Sequence, residues 1–393
     1  MKPRTVIVTG LAATFPVGGV AWDYLQYLLG FVRLGHDAYY LEDTGMWTFD
    51  PFQDTFSEDA TYNAGYLADC LKALAPGLEK RFCFRDTNDK HWGLSREEFA
   101  AVVDKADVFI NISTTCQLRD EYKKIPVKIL IDSDPLYTQS GIPGFLDGTA
   151  DEKTVSAIER MKEHDLFFSF GENVGKPDCK VPADIFGWKP TRQPIVLDCW
   201  KADRAPGRDV FTTVLSWKPV EKGPVVGGVT YGGKNLEFER LIDLPRRTDA
   251  HLELALGGGK PPRERLLEHG WKLVDGYAMS STPWKYRDYI LDSQAEFSMA
   301  KNAYVASRSG WFSCRSACYL AAGRPVVVQD TGFSDFIPVG EGILAFSDLD
   351  GALAGIEAAR KDWARHSRAS LSLAQEFFDS DRVLSALLQE ALG

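Results

Sequence analysis

The feature that most constrains the fold of this chain is a repeating unit: a short, almost wholly apolar run, a polar turn, then a stretch with helical spacing. Apolar runs at 6–9, 38–41, 108–112, 128–131 and 166–170 each end in polar residues. An apolar-rich helix is expected over 22–34, led in by Gly18 and Gly19. Runs this short and this apolar suit strands buried between helices, so the first 200 residues read as a parallel sheet covered on both faces. Residues 47–62 are polar and aromatic without a period, and read as a long loop at the mouth of that domain. After a charged, turn-forming segment at 201–208 the pattern restarts. Strands are expected at 210–215, 251–256, 271–274 and 304–306, and helices at 236–242, 262–269 and 288–299. Residues 350–392 read as two or three amphipathic helices, with Leu384, Leu387, Leu388 and Leu392 at helical spacing. The expectation is an α/β protein with two Rossmann-like, doubly wound domains facing across a cleft. The first covers 1–200 and the second 209–375, with a terminal helix at 376–393 packing back on the first. In such folds ligands sit at the carboxyl ends of the strands, which here places a site between the domains.

Composition narrows the function classes. A chain of 393 residues with 45% hydrophobic content can bury two cores. No run of about 18 apolar residues appears, so no membrane span is expected. The N-terminus moves straight into a strand without the pattern of a signal peptide. Seven irregularly spaced cysteines suit reduced thiols, and together these features place the protein in the cytoplasm. Cys314 and Cys318 share a helix face, but no matching Cys or His pair exists elsewhere, so no metal site is expected. A formal net charge of −10 disfavours attraction to nucleic acid or anionic lipid. Oligomeric state is not readable.

The stretch 307–332 carries the densest chemistry. A polar, glycine-containing loop runs into a short helix that stops at Gly323, and Pro325 starts a buried strand at 326–328. Helix N-termini offer unpaired N–H groups and a positive dipole end, so this loop suits a phosphate. Arg308 and Arg315 are placed to add bidentate contacts to the same anion, with Ser309, Gly310 and Ser316 completing the cradle. Ser216 and Lys218 end the first strand of the second domain, where a cation meets a diphosphate; a solvated lysine is the other reading. Gly258 follows the next strand and leaves room for a ring to lie flat on backbone.

Ala322, Gly323, Pro325, Val326 and Val327 spell an A-x-G-x-P-V-V turn, and the layout resembles the donor-nucleotide region of glycosyltransferases with the GT-B fold. Residues 16–20 and 34–37 look like the opening pattern of the same superfamily. The resemblance departs at two places, because Gly310 and Cys318 stand where relatives carry carboxylates. It implies a hexosyltransferase-type enzyme that takes a nucleotide-diphosphate sugar as co-substrate, with no other cofactor and no metal. The acceptor would be a hydroxyl-bearing small molecule or glycan. Asp330, Thr331 and Gly332 occupy positions where relatives contact the transferred sugar. A nucleotide-sugar epimerase, a phosphorylase and a non-catalytic binding protein of the same fold are the alternatives.

In the first half, the loop from Gly10 to Gly18 and Gly19 either brings a phosphate or acceptor close to the backbone or is a tight strand-to-helix turn. Asp132 and Asp134 follow a buried strand, so one of them is a candidate base for a sugar hydroxyl; turn capping before Pro135 is the alternative. Glu172 is a second candidate by the same logic. Ser113, Thr114 and Thr115 line an acceptor pocket or cap a helix, and the superfamily resemblance implies that His36 packs structurally.

Overall fold

A computed structural model describes residues 2–202, 205–217 and 223–393. Lys218 and part of the 201–208 segment lie outside the described residues.

The two expected sheets are present. The first contains β1 (Thr5–Thr9), β2 (Asp37–Glu42), β5 (Phe82–Arg85), β6 (His91–Gly93), β7 (Val108–Ile112), β8 (Val127–Asp132), β9 (Leu166–Ser169) and β10 (Lys189–Pro190), while β3 (Thr48–Asp50) and β4 (Thr55–Ser57) form a separate hairpin. Its order is β10-β9-β8-β7-β1-β2-β5-β6, parallel throughout except for β5–β6. The second half gives β11 (Phe211–Ser216), a small ribbon of β12 (Val225–Val226) and β13 (Val229–Thr230), then β14 (Leu252–Gly257), β15 (Lys272–Asp275), β16 (Ala295–Ser298), β17 (Val326–Gln329) and β18 (Ile343–Phe346). Its sheet runs β15-β14-β11-β16-β17-β18, all parallel. Central strands such as β7 and β17 are buried at every residue, which is why they read as unbroken apolar runs.

Three elements differ from expectation. Residues 47–62 contain the β3–β4 hairpin, paired through Phe49 and Phe56, where no alternation was visible. The expected helix over 288–299 is a helix at Pro283–Asp292 followed by β16. An acid in a central strand hides such a strand from sequence, and Glu296 is tolerated there because Arg315 lies against it. Residues 304–306 belong to a short helix, Asn302–Ala306, rather than a strand.

The helix Gly18–Arg33 is the seam between the halves. Gly18, Trp22, Gln26 and Gly30 recur every four residues and so share one face. Trp22 Nε1 donates to Pro283 O at 2.8 Å, and Gln26 Oε1 accepts from Val196 N and Trp200 Nε1, each at 3.0 Å. The terminal helix Ser380–Leu392 lies against the same helix, and its Leu384, Leu387 and Leu388 join the first core. Gly18 permits the close approach: a Cβ there would overlap Thr282 O and sit 2.9 Å from Tyr286 Cβ. We expect Gly18→Ala to cost about 1–3 kcal/mol in urea unfolding. Gly65→Ala, on a helix with open space around it, should stabilise by about 0.5–1 kcal/mol instead.

Candidate active site

Strand order reverses beside β1 and β7 in the first sheet and beside β11 and β16 in the second, so a crevice opens at the carboxyl ends of each pair. Backbone strain gathers there. Ser113 (φ 57°) and Thr114 (φ 53°) follow β7, and Leu136 (φ 73°) follows β8, all in the left-handed region that side chains disfavour.

The loop after β1 is already satisfied by the protein. Glu42, fully buried, accepts from Ala13 N at 2.8 Å, from Thr14 N, and from Tyr40 OH at 2.9 Å. Tyr40 OH in turn accepts from Ala12 N at 3.0 Å. Burial raises the pKa of Glu42, while these donors act in the opposite sense. The amides a phosphate would need are therefore taken. A Cβ on Gly10 would strike Tyr40 and Tyr24, and Gly18 and Gly19 face the Pro283–Asp292 helix, so all three glycines make room for protein. The tight-turn reading of this loop is the one the geometry supports. His36 accepts from Arg4 N through Nδ1 at 3.1 Å and packs on Phe31.

The cradle expected at 308–316 is also occupied. Asn173 N donates to Ser309 O at 3.0 Å, Lys180 N to Ser307 O at 2.8 Å, and Gly171 pairs with Trp311, which straps the loop to the first half. A Cβ on Gly310 (φ 78°) would lie 2.7 Å from Asn173 N. Arg308 pairs with Asp178 and Asp335. Arg315 is half-buried, donating to Glu296 at 2.6 Å, to Val214 O at 2.9 Å and to Ser298 Oγ. At the N-terminus of Cys314–Ala321, Ser298, Trp311, Ser316 and Gln329 line a cavity of about 20 Å³, the size of one water and too small for a diphosphate. Ser316 Oγ has no partner there. Beyond β17, Asp330 caps Gly332 N at 2.8 Å, and Thr331 Oγ1 donates to Trp311 O at 2.6 Å. Gly332 (φ 96°) lies against Asn173. Ser216 and Gly258 are exposed at the ends of β11 and β14.

Of the three carboxylates singled out as bases, two are committed to structure. Asp132 accepts from Thr138 Oγ1 (2.6 Å), Gln139 Nε2 (2.7 Å), Ser169 Oγ (2.7 Å) and Asp134 N (3.0 Å), which organises the turn after β8. Glu172 makes a two-pronged pair with Arg192 at 2.6 and 2.7 Å and is 7% exposed. Asp134 keeps 42% exposure and receives Lys301 Nζ at 2.7 and 2.9 Å together with Tyr304 OH.

Lys234 completes the group and was missed from sequence. It opens the helix Lys234–Glu239 behind Gly232 and Gly233. Glu237, buried on the same helix, fixes that corner by accepting from Asn302 Nδ2 and Gln329 Nε2, each at 2.7 Å. Arg315 and Lys301 have acidic partners; Lys234 has none among the described residues. Burial lowers its pKa to about 7, and repulsion from Arg315 and Lys301 adds to the shift. Glu296 and Asp134, the partners of Arg315 and Lys301, act on Lys234 in the opposite sense. The Gly-Gly-Lys triplet before a helix was the available signal.

Asp23, on the seam helix, is the acidic counterpart. Burial raises its pKa to about 7 against the field of Arg315. A carboxyl whose folded pKa lies above its unfolded value contributes stability below about pH 4, and that contribution is lost as pH rises towards 7. Asp23→Asn should therefore raise the melting temperature at pH 8 and flatten the decline between pH 4 and 7. An unchanged pH profile of thermal unfolding would contradict the assignment.

No protein-family model and no curated protein matches the chain. Solved structures do. AviGT4, a glycosyltransferase involved in avilamycin A biosynthesis, is similar at TM-score 0.53 and 11% identity over 99% of this chain and 97% of its own. HepE from Anabaena, in complex with UDP-glucose, is similar at TM-score 0.53 and 10% identity over 98% and 100%. Sucrose-phosphate synthase from Thermosynechococcus elongatus is similar at TM-score 0.50 and 11% identity over 98% of each chain. At such identities the likeness is one of fold, and the chain has the GT-B fold. Among the described residues no helix is long and apolar enough to cross a membrane.

Proposed function

Proceeding from the GT-B fold, we propose that this chain is a glycosyltransferase that moves a sugar from a nucleotide-diphosphate sugar to an acceptor hydroxyl. The observation that carries the reading is Lys234, a cation with no hydrogen-bond or ion-pair partner among the described residues, which opens a helix behind Gly232 and Gly233 and lies in the fields of Arg315 and Lys301. The diphosphate seat is assigned to Lys234, beside the Arg315–Glu296 and Lys301–Asp134 pairs. It is displaced from the Cys314–Ala321 helix entrance, where sequence analysis had placed it.

The chemical demand in such a transfer is the charge that develops on the departing diphosphate, and a cation already in place lowers that barrier without reorganising. Asp134 is assigned the acceptor proton, since it alone of the three carboxylates considered keeps its exposure at the strand ends. Tyr304 and Lys301 orient its carboxylate.

The test is a thermal-shift panel of UDP, dTDP, GDP and ADP, followed by release of the nucleotide diphosphate from the matching sugar donor with and without acceptor. A ligand at a hundred times its Kd stabilises by about 2.7 kcal/mol, which is readily seen. Stabilisation by one nucleotide with acceptor-dependent release supports transfer, whereas release without acceptor favours an epimerase-type or hydrolytic reaction. Stabilisation with no release would mark a binding protein, and no stabilisation by any nucleotide would remove the reading.

A further inference from the structure

The β3–β4 hairpin carries apolar surface that the fold does not use. Phe52 is 71% exposed and Trp47 53%, and Tyr62 on the following helix is also open. The hairpin itself is tied down, and Phe52 and Tyr62 are held by ring contacts. Phe49 N donates to Thr14 O at 2.8 Å, and Asn63 Nδ2 reaches both Ala13 O (2.8 Å) and Phe49 O (3.0 Å), which ties the hairpin to the loop after β1. Asp50 Oδ1 accepts from Phe52 N and Gln53 N at 2.8 and 3.2 Å, fixing the tip. Phe52 then packs edge-on to Tyr62 at 5.1 Å and meets Tyr277 at 6.4 Å. Tyr277 follows β15 of the second sheet, so the ring cluster spans both halves at the mouth of the gap.

The charge pattern selects among occupants. Between Asp43 and Tyr62 the chain has no lysine or arginine, while Asp50, Asp54, Glu58 and Asp59 stand between the aromatic residues. Such a surface repels phosphates, nucleic acid and anionic headgroups. Carboxylates among the rings also interrupt the continuous apolar area that an acyl chain needs. Ring faces are negative and attract the weakly positive C–H face of another ring, while carboxylates accept hydrogen bonds from hydroxyls at its rim. A neutral pyranose has both surfaces.

We propose that the hairpin is a docking platform for an uncharged saccharide acceptor, which stacks on Phe52 and Trp47 with its reacting end directed into the gap. This rests on the transferase reading, and it specifies the acceptor as a neutral sugar chain.

The experiment is saturation-transfer NMR on the full chain with maltotriose, cellotriose and xylotriose at millimolar concentration, run beside the nucleotide thermal-shift panel. At least one trisaccharide should show transfer concentrated on C–H protons of one ring face, reduced to background in the W47A/F52A double variant. Both residues are exposed, so the variant should keep the wild-type melting temperature and nucleotide response. Transfer to no trisaccharide, or equal transfer in the double variant, overturns the platform. Binding to phosphatidylcholine vesicles that W47A/F52A abolishes, without saccharide transfer, also overturns it in favour of a lipid surface. Nucleotide binding without saccharide transfer sinks this proposal alone. Saccharide transfer lost in the variant but without any nucleotide response sinks the transferase reading and leaves the platform standing.

Discussion

Lys234→Ala should weaken binding of the matching nucleotide diphosphate by about ten- to a hundredfold while leaving the protein folded. A hydrogen bond to a charged group is worth about 1.5–3 kcal/mol, and about 1.4 kcal/mol is a factor of ten in Kd. The lysine contributes to the anion through its proton, and burial has brought its pKa down to about 7 in the ligand-free protein. Affinity should therefore fall as pH rises through neutrality, and the alanine variant should lose that dependence. The same shift fixes the sign for stability. The unfolded chain binds more protons at this lysine between about pH 7 and 10.5, so its charge destabilises the free fold at neutral pH and the penalty fades as pH rises. The variant should consequently melt no lower than wild type at pH 7. Isothermal titration across pH 6 to 9 reads both effects. Wild-type affinity in the variant, with the same pH slope, would show that the anion sits elsewhere.

Glu296→Ala should destabilise the fold by about 3–5 kcal/mol, the range found when one partner of a buried ion pair is removed. Glu296 is fully buried in β16, and its oxygen lies 2.6 Å from Arg315 Nε. Removing it strands a guanidinium that, among the described residues, keeps Val214 O and Ser298 Oγ as partners. The reverse change, Arg315→Ala, strands the carboxylate and should cost a similar amount. A residue reserved for substrate would leave the fold intact on removal; Arg315, paired with Glu296, would not. The double variant E296A/R315M should recover most of the loss, since an apolar pair carries no desolvation penalty. Urea unfolding of the three variants decides the matter: additive losses in the double variant would deny the pairing.

The two residues also show why the site was only partly legible. Arg315 drew attention because an arginine at a helix entrance behind a glycine loop is the usual dress of a phosphate site. Its actual partner is a strand residue that sequence analysis had placed in a helix, and nothing local to 307–316 announces it. Asp134 and Lys301 are 167 residues apart. Glu42 fills the amides of the first loop from the neighbouring strand, which is likewise a tertiary event. Lys234 was overlooked for the opposite reason. One lysine among 45 basic residues is marked in sequence only by the glycine pair before it, and the neighbouring cations are what make it distinctive.

Periodicity is a local property, so the amino-acid order alone determined two α/β halves, their buried parallel strands, a helical C-terminal stretch and the absence of a long apolar span. Charge pairing is settled in three dimensions, and there the folded chain decided which cations are neutralised and which glycines admit a helix. The reason is range: a strand or helix is specified by neighbours a few residues away, whereas the charge left unbalanced in a gap depends on every group the two sheets bring to its edges.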